Sequence, residues 1–369
     1  MTAHGAGPAA PALRWVRDSE PGIRRIGAAG AFRYRHDDGR PVRDAATLQR
    51  IRALAVPPAW QRVWISAEPR AHLQATGRDA RGRKQYRYHA DWQSHRQLSN
   101  FDRLRAFGLA LPRIRRRVAR ALAAAERSQA APTRELVLAT LVRLLDATWM
   151  RIGNAEYARH NRSYGLSTLH NRHARVQGDE LQLCFTGKGG VRHRLRLSDR
   201  RVARTVRRCR DLPGQALFQY VDAAGATHGI DSGDVNDWVA DSARLQATAK
   251  DFRTWHGSVR ALELILAACA PDAAACRLQD VLAQVARGLG NTPAVCRKAY
   301  VHPAVLQLAD VLVDAGARGA LRGQRWVLEP PSHAGLGLAE RRLLGLLQRR
   351  PRGAGAGPVG SRGRRGPGA

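Results

Sequence analysis

Four cations and one phenol occupy the positions from which this chain could do chemistry. Arg151 lies in WMRIGNAEYA, Lys188 in FTGKGG, Lys250 and Arg253 in KDFRTW, and Tyr300 in GNTPAVCRKAY. Each cation stands on a turn or a helix start beside an apolar element. Tyr300 closes a short helix, with Thr292 and Pro293 as its cap and first residue and His302-Pro303 as its stop. Arg297 and Lys298 add positive field just before it. A lone tyrosine at such a place ordinarily packs a helix end into the core. Guanidinium forks and ammonium groups suit an anionic partner, because arginine grips a phosphate with two hydrogen bonds.

Charge points the same way. The 369 residues carry 62 Lys plus Arg against 30 Asp plus Glu, a formal net charge of +32. An excess of this size concentrates polyanions near the surface and makes their binding fall steeply with salt. Nucleotide-hydrolysing motors are not supported. FTGKGG resembles a phosphate loop, but such a loop needs glycine where Gln182 stands and Ser or Thr where Gly189 stands. There is no HExxH, and His160, His170 and His173 lack carboxylates at ligand spacing. The five cysteines, Cys184, Cys209, Cys269, Cys276 and Cys296, form an odd set without CxxC or zinc spacing, which fits a reduced cytosol. The N-terminus lacks a basic start followed by an apolar run, and ALELILAACA is too short to span a bilayer, so neither export nor membrane attachment is expected.

The elements that must position these side chains fall into two regions. Residues 1–12 and 351–369 are small, Pro-rich or Gly/Arg-rich and read as disordered. From 13 to 92 the pattern is strand-like (GIRRIG, AFRYRHDDGRPV, RVWISA, AHLQATGRDARGRKQYRYH) with one helix in DAATLQRIRAL, predicting a small, mainly antiparallel β domain. Its last strand interleaves cations and aromatics, Arg83, Lys84, Tyr86, Arg87, Tyr88 and His89, as suits a surface lying along a nucleic-acid backbone. An amphipathic strand with no ligand has the same pattern. From 93 to 350 the period becomes helical, with helices over 93–107, 111–128, 133–149, 199–210, 234–242, 248–269, 276–288, 293–300, 303–315 and 337–349. Three short strands in HARVQGDELQLCFTGKGGVRHRLRL interrupt it. The class is α+β.

WMRIGNAEYA, FTGKGG, KDFRTW and GNTPAVCRKAY, together with GRKQYRYH upstream, occur in the order and approximate spacing of the type IB DNA topoisomerases, particularly the bacterial and poxvirus-like branch. The chain resembles that family from about residue 22 to 345. The resemblance implies a mainly α catalytic domain of the type IB topoisomerase and tyrosine recombinase kind, and relaxation of duplex DNA without ATP or an obligatory metal. It also assigns roles. Tyr300 would attack the scissile phosphate and become linked to the 3′ phosphate. Arg151 and Arg253 would bind its nonbridging oxygens, Lys188 would protonate the departing 5′ oxygen, and Lys250 would be a secondary cation. A phenol with a pKa near 10 is a poor nucleophile toward a phosphodiester, so cations around it make physical sense.

One position departs from the pattern. Poxvirus and eukaryotic members carry histidine nine residues before the tyrosine, and this chain has Asn291. An amide can donate a hydrogen bond to phosphate but cannot transfer a proton. His256 and His302 read as helix-end or surface residues. Two other functions use similar features: a tyrosine recombinase, which shares the Arg, Lys, Arg, Tyr set but usually has an HxxR signature and a helical N-terminal domain, and a noncatalytic DNA-compacting protein. The favoured expectation is a monomer that closes on double-stranded DNA as a clamp in the cytoplasm, associated with the nucleoid.

Overall fold

The computed structural model describes residues 12–349, apart from 81, 83, 93–100, 127–129, 271, 274–275 and 314. Most of the two terminal segments read as disordered, the cation Arg83 and the segment in which the β-rich region was expected to give way to helices all lie outside the described residues.

Strands β1 (Ile23–Ile26), β2 (Arg33–His36), β3 (Gln61–Ile65), β4 (Leu73–Arg78) and β5 (Lys84–Tyr88) form one sheet in the order β2-β1-β3-β4-β5. Every neighbouring pair is antiparallel. Helix α1 (Ala45–Ala53), capped by Asp44 accepting from the Thr47 N–H at 2.7 Å, covers one face. Its Ile51 packs with Ile23, Val63, Ile65 and Ala75, the alternate residues of the strands. The opposite face carries Val16, Trp64, Ala71 and Leu73, with Tyr88 against them.

The remainder is mainly helical: α2 (Leu104–Glu126), α3 (Arg134–Thr148), α4 (Ala155–Asn161), α5 (Arg200–Arg210), α6 (Ser232–Ala243), α7 (Ala249–Ala268), α8 (Leu278–Leu289), α9 (Pro293–Ala299), α10 (Pro303–Gln307), α11 (Ala315–Arg322), α12 (Arg325–Leu328) and α13 (Leu338–Gln348). Helices α3 and α7 are buried around most of their circumference, and α2, α8 and α13 pack on them. Strands β6 (Ala174–Gln177), β7 (Glu180–Thr186) and β8 (Arg192–Ser198) form the expected three-stranded antiparallel sheet. Its inner face, Leu181, Leu183 and Phe185, joins the helical core.

Several details differ from expectation, among them the short helices α4, α11 and α12, which the sequence pattern does not predict. Helices expected over 93–107 and 111–128 meet in one helix that runs through Pro112. Leu104, Phe107, Leu111, Ile114 and Val118 all face the same core, and that burial outweighs the backbone bond a proline removes. Gly108, one turn earlier, lies where an added Cβ would sit 2.2 Å from the Trp255 ring, so the helices approach closely there. The helix expected over 303–315 is split, because Leu308–Val313 winds as a 3₁₀ helix and so places Ala309 and Leu312, three residues apart, both in the core. A two-stranded ribbon, β9 (Gln219–Val221) and β10 (Thr227–Gly229), was not anticipated, since three-residue strands are too short to show a period.

A buried charge cluster ties the helices together. Arg115 of α2 forms paired hydrogen bonds with Asp146 of α3 (2.8 and 3.1 Å) and with Glu340 of α13 (2.9 and 2.8 Å). Burial pushes both carboxyl groups up, but hydrogen bonds to Arg115, and to His256 for Asp146, hold each below the usual carboxylate range. Groups with depressed folded pKa values contribute stability above the ordinary carboxylate pKa and lose it as the pH falls. Arg115→Leu is predicted to lower the unfolding free energy at pH 7 by about 3 to 5 kcal/mol, because two buried carboxylates lose their partner. In urea melts the gap to wild type should narrow as the pH falls below about 4, where the unfolded wild-type chain takes up protons that its folded carboxylates still refuse.

Candidate active site

Helix α7 supplies the centre of the site. Thr248 and Asp251 form its capping box, and Lys250, Arg253 and Gly257 follow at spacings of three and four, which puts them on one face. Arg253 is only 3% exposed, and its guanidinium donates to the Trp149 carbonyl and to the Leu289 carbonyl, the latter at 2.8 Å. Its ζ carbon lies 4.9 Å from the centroid of the Tyr300 ring. Tyr300 caps the C-terminal end of α9, whose N-terminus is the predicted Thr292 cap followed by Pro293. Ser258, fully buried, holds the tyrosine's backbone: its hydroxyl donates to the Tyr300 carbonyl at 3.3 Å and accepts from the His302 N–H at 2.9 Å. A side chain on Gly257 would meet that carbonyl at 2.8 Å.

Arg151 follows the end of α3 and donates to the Gly290 carbonyl at 3.4 Å and to Asn291 Oδ1. The Asn291 Nδ2 is buried without a protein partner. Lys188 stands exposed on the β7–β8 turn, where Gly189 and Gly190 take positive φ of 79° and 80°, and its ammonium lies 5.8 Å from the centroid of the Tyr157 ring. Arg151, Lys188, Lys250, Arg253 and Tyr300 all line one open cleft of about 740 Å³. Burial alone would raise the Tyr300 pKa. The charge and hydrogen bond of Arg253, then the charges of Arg151 and Lys250, outweigh it and leave the phenol more acidic than usual. The ensemble is a cationic anion site with an acidified phenol at its floor.

Residues 31–79 match the family described as the N-terminal domain of bacterial DNA topoisomerase IB. Residues 89–312, more than half of the chain, match the family described as the catalytic core of eukaryotic DNA topoisomerase I. The chain belongs to the type IB DNA topoisomerase family. The DNA topoisomerase 1B of Acanthamoeba polyphaga mimivirus is 27% identical over 297 residues, which cover 78% of this chain and 87% of that protein. The protein is thus a DNA topoisomerase, an isomerase, and its α+β architecture is the one this family implies.

Not every residue singled out in the sequence reaches the cleft of this topoisomerase. From β5, Lys84 and Tyr86 line it, and Lys84 is ion-paired with Asp18 at 2.6 Å, which raises its pKa. Tyr88 stacks on Tyr86 (6.0 Å, 10°) and packs toward His72. Arg87 turns to the α1 face of the sheet, donating to the Ala55 carbonyl at 3.0 Å beside Trp60. Arg297 and Lys298 are exposed on α9 outside the cleft lining. His256 is not at a helix end or on the surface. It sits inside α7, 8% exposed, bonded to Asp146 at 2.8 Å. His302 does cap a helix, its Nδ1 accepting from the Ala304 N–H at 3.0 Å, and burial pushes its pKa down to about 4. His170 and His173 pack on Tyr164.

The sequence reading missed Arg78, Tyr157, Ser163 and Tyr164, which also line the cleft. All but Arg78 lie within fourteen residues after Arg151, and that proximity was the available signal. It also missed a backbone crossing. Gly165 packs against Gly153 so tightly that a Cβ would stand 2.4 Å from the Gly153 nitrogen and 2.7 Å from the Arg151 carbonyl. Gly165→Ala must therefore displace the loop that carries Arg151. Topoisomerase activity on plasmid DNA is predicted to slow about tenfold to a hundredfold, since displacements near 1 Å have costs of that order.

Proposed function

We propose that this topoisomerase relaxes supercoiled duplex DNA by transient cleavage of one strand through a 3′-phosphotyrosyl intermediate, rotation about the intact strand, and religation. The observation that carries this reading is the Tyr300 phenol, acidified by Arg253 and opening onto the same cleft as Arg151, Lys188 and Lys250.

Tyr300 Oη gives its proton to solvent water in the open cleft and attacks phosphorus in line as the bond to the 5′ oxygen breaks. Lys188, on an exposed turn with room to move, gives a proton to that oxygen, so the products are a 3′-phosphotyrosine and a free 5′-hydroxyl. Resealing runs the same steps backward. Arg253 spends two of its five N–H donors on backbone carbonyls and also hydrogen-bonds Tyr300, which leaves donors, its buried Nε included, for the nonbridging oxygens. Arg151 and the unpartnered Nδ2 of Asn291 add donors to the same oxygens, and Lys250 adds charge. Because one phosphodiester replaces another, the reaction uses neither ATP nor a metal ion.

Lys84 and Tyr86 line the cleft from the β-rich lobe and Tyr300 from the helical lobe, which supports a monomer closing around duplex DNA as a clamp, with Arg87, Tyr88, Arg297 and Lys298 as outlying DNA contacts and Arg83 as a further DNA-binding residue. We place it with the nucleoid in the cytoplasm.

Wild-type protein is predicted to relax both positively and negatively supercoiled plasmid in EDTA without ATP, and Tyr300→Phe to relax neither. Inactive wild type, or a Phe variant of full activity, overturns the reading. Lys188→Ala is predicted to slow cleavage by about 10²- to 10⁴-fold, the range for general acids. A substrate with sulfur at the 5′ bridging position should restore the rate, since a thiolate leaves without a proton; failure of that rescue removes the general-acid role.

A further inference from the structure

Trp149 stands where a helix ends, a place that usually takes glycine. It caps α3 with φ 59°, in the left-handed region that bulky residues rarely adopt. Conformations of this kind persist only when the surroundings hold them. On one side the Trp149 indole stacks on the His256 ring at 5.4 Å with the planes 13° apart. On another it meets the backbone of α8, where a Cβ on Gly288 would stand 3.0 Å from the ring. His256 is itself fixed by its 2.8 Å bond to Asp146, which Arg115 grips in turn.

These contacts close two rings of interactions that share Trp149. In the first, the Trp149 carbonyl accepts from Arg253, and three residues along α7 from Arg253 is His256, which returns to the indole. In the second, Arg151 lies two residues beyond Trp149 and bonds the Gly290 carbonyl and Asn291, and two residues before Gly290 is Gly288, against the indole. Both arginines are thereby referenced to one side chain. We infer that Trp149 is the positioning residue that sets Arg151 and Arg253 in register with the scissile phosphate, through an indole clamped between His256 and Gly288. The inference rests on the proposed role of those arginines in the cleft.

The chemistry favours a large flat ring here. A leucine can fill part of the volume but cannot stack on imidazole, and its branched end would leave the α8 backbone free to drift. Phenylalanine keeps the stack and shortens the reach. Gly288→Ala works from the other direction: it adds a methyl group that the indole must yield to by a few tenths of an ångström, while alanine inside a helix is ordinarily more stable than glycine. A purely structural role for Trp149 thus predicts a Gly288→Ala protein that is at least as stable as wild type and fully active. A positioning role predicts one that is stable and slow.

The test compares full-length Trp149→Leu, Trp149→Phe, Gly288→Ala and Arg253→Ala. It measures single-turnover plasmid relaxation with enzyme in excess, affinity for linear duplex DNA, and thermal melting. Trp149→Leu should relax about a hundredfold more slowly, Trp149→Phe should recover most of that loss, and Gly288→Ala should be about three- to tenfold slow with an undiminished melting temperature. DNA affinity should stay within about twofold of wild type throughout the Trp149 and Gly288 variants, because alignment rather than binding is lost. A wild-type rate in Gly288→Ala overturns the inference whatever Trp149→Leu does. If Arg253→Ala relaxes at the wild-type rate, the proposed chemistry fails instead; if it is slow while the Trp149 variants are not, only the positioning role fails.

Discussion

A guanidinium that is almost wholly out of water must find acceptors, and the way Arg253 finds them organises this site. Its two carbonyl partners belong to Trp149, the cap of α3, and Leu289, the last residue of α8. The carbonyls at a helix C-terminus have no partner within the helix and carry the negative end of its dipole. One buried cation and two helix ends therefore satisfy one another, and the cost of burying the charge is offset by acceptors that would otherwise be orphaned. Because those helices end beside Arg151 and Asn291, the same arrangement collects the remaining polar groups of the site.

The consequence for Tyr300 is electrostatic. A phenol in this much protein would ordinarily be harder to ionise, and only nearby positive charge reverses that tendency. Arg253 supplies it with its ζ carbon 4.9 Å from the ring centroid, in surroundings where water screens little. The helix end that carries the tyrosine is held independently, through Ser258 and the absence of a side chain at Gly257. The arginines and Tyr300 thus rest on a scaffold held by the buried α3–α7 pair and the Arg115 cluster, while Lys188 sits on an exposed glycine turn. In the proposed mechanism that division would put fixed charge at the phosphate and a movable donor near the leaving group.

Much of this was readable in the chain. The helix over α9 was legible from Thr292, Pro293 and His302-Pro303, because caps and prolines act locally. The three-stranded sheet was legible from alternation and from the glycines of its turns. The helix through Pro112 was not, since propensity there loses to the burial of Leu104, Phe107, Leu111 and Ile114, which becomes visible only when α3 and α7 are beside it. His256 was misplaced for the same reason: a histidine three residues after an arginine can face water or core, and only the carboxylate of Asp146, 110 residues away, decides. In β5 the alternation of cations and aromatics was plain, yet which parity faces the cleft depended on where α1 covers the sheet.

The sequence by itself determined the chemical inventory and its local geometry: a tyrosine at a helix end, cations on turns and helix starts, an asparagine nine residues before the tyrosine, and a net charge suited to DNA. These are properties of short segments, governed by spacing and backbone preference. Tertiary structure alone decided that Arg253 is buried beneath the phenol, that Arg151 and Asn291 share a hydrogen bond, and that Trp149 lies between α7 and α8. Those are pairings between groups tens to more than a hundred residues apart, and their energy exists only after water has been excluded from between the helices that carry them.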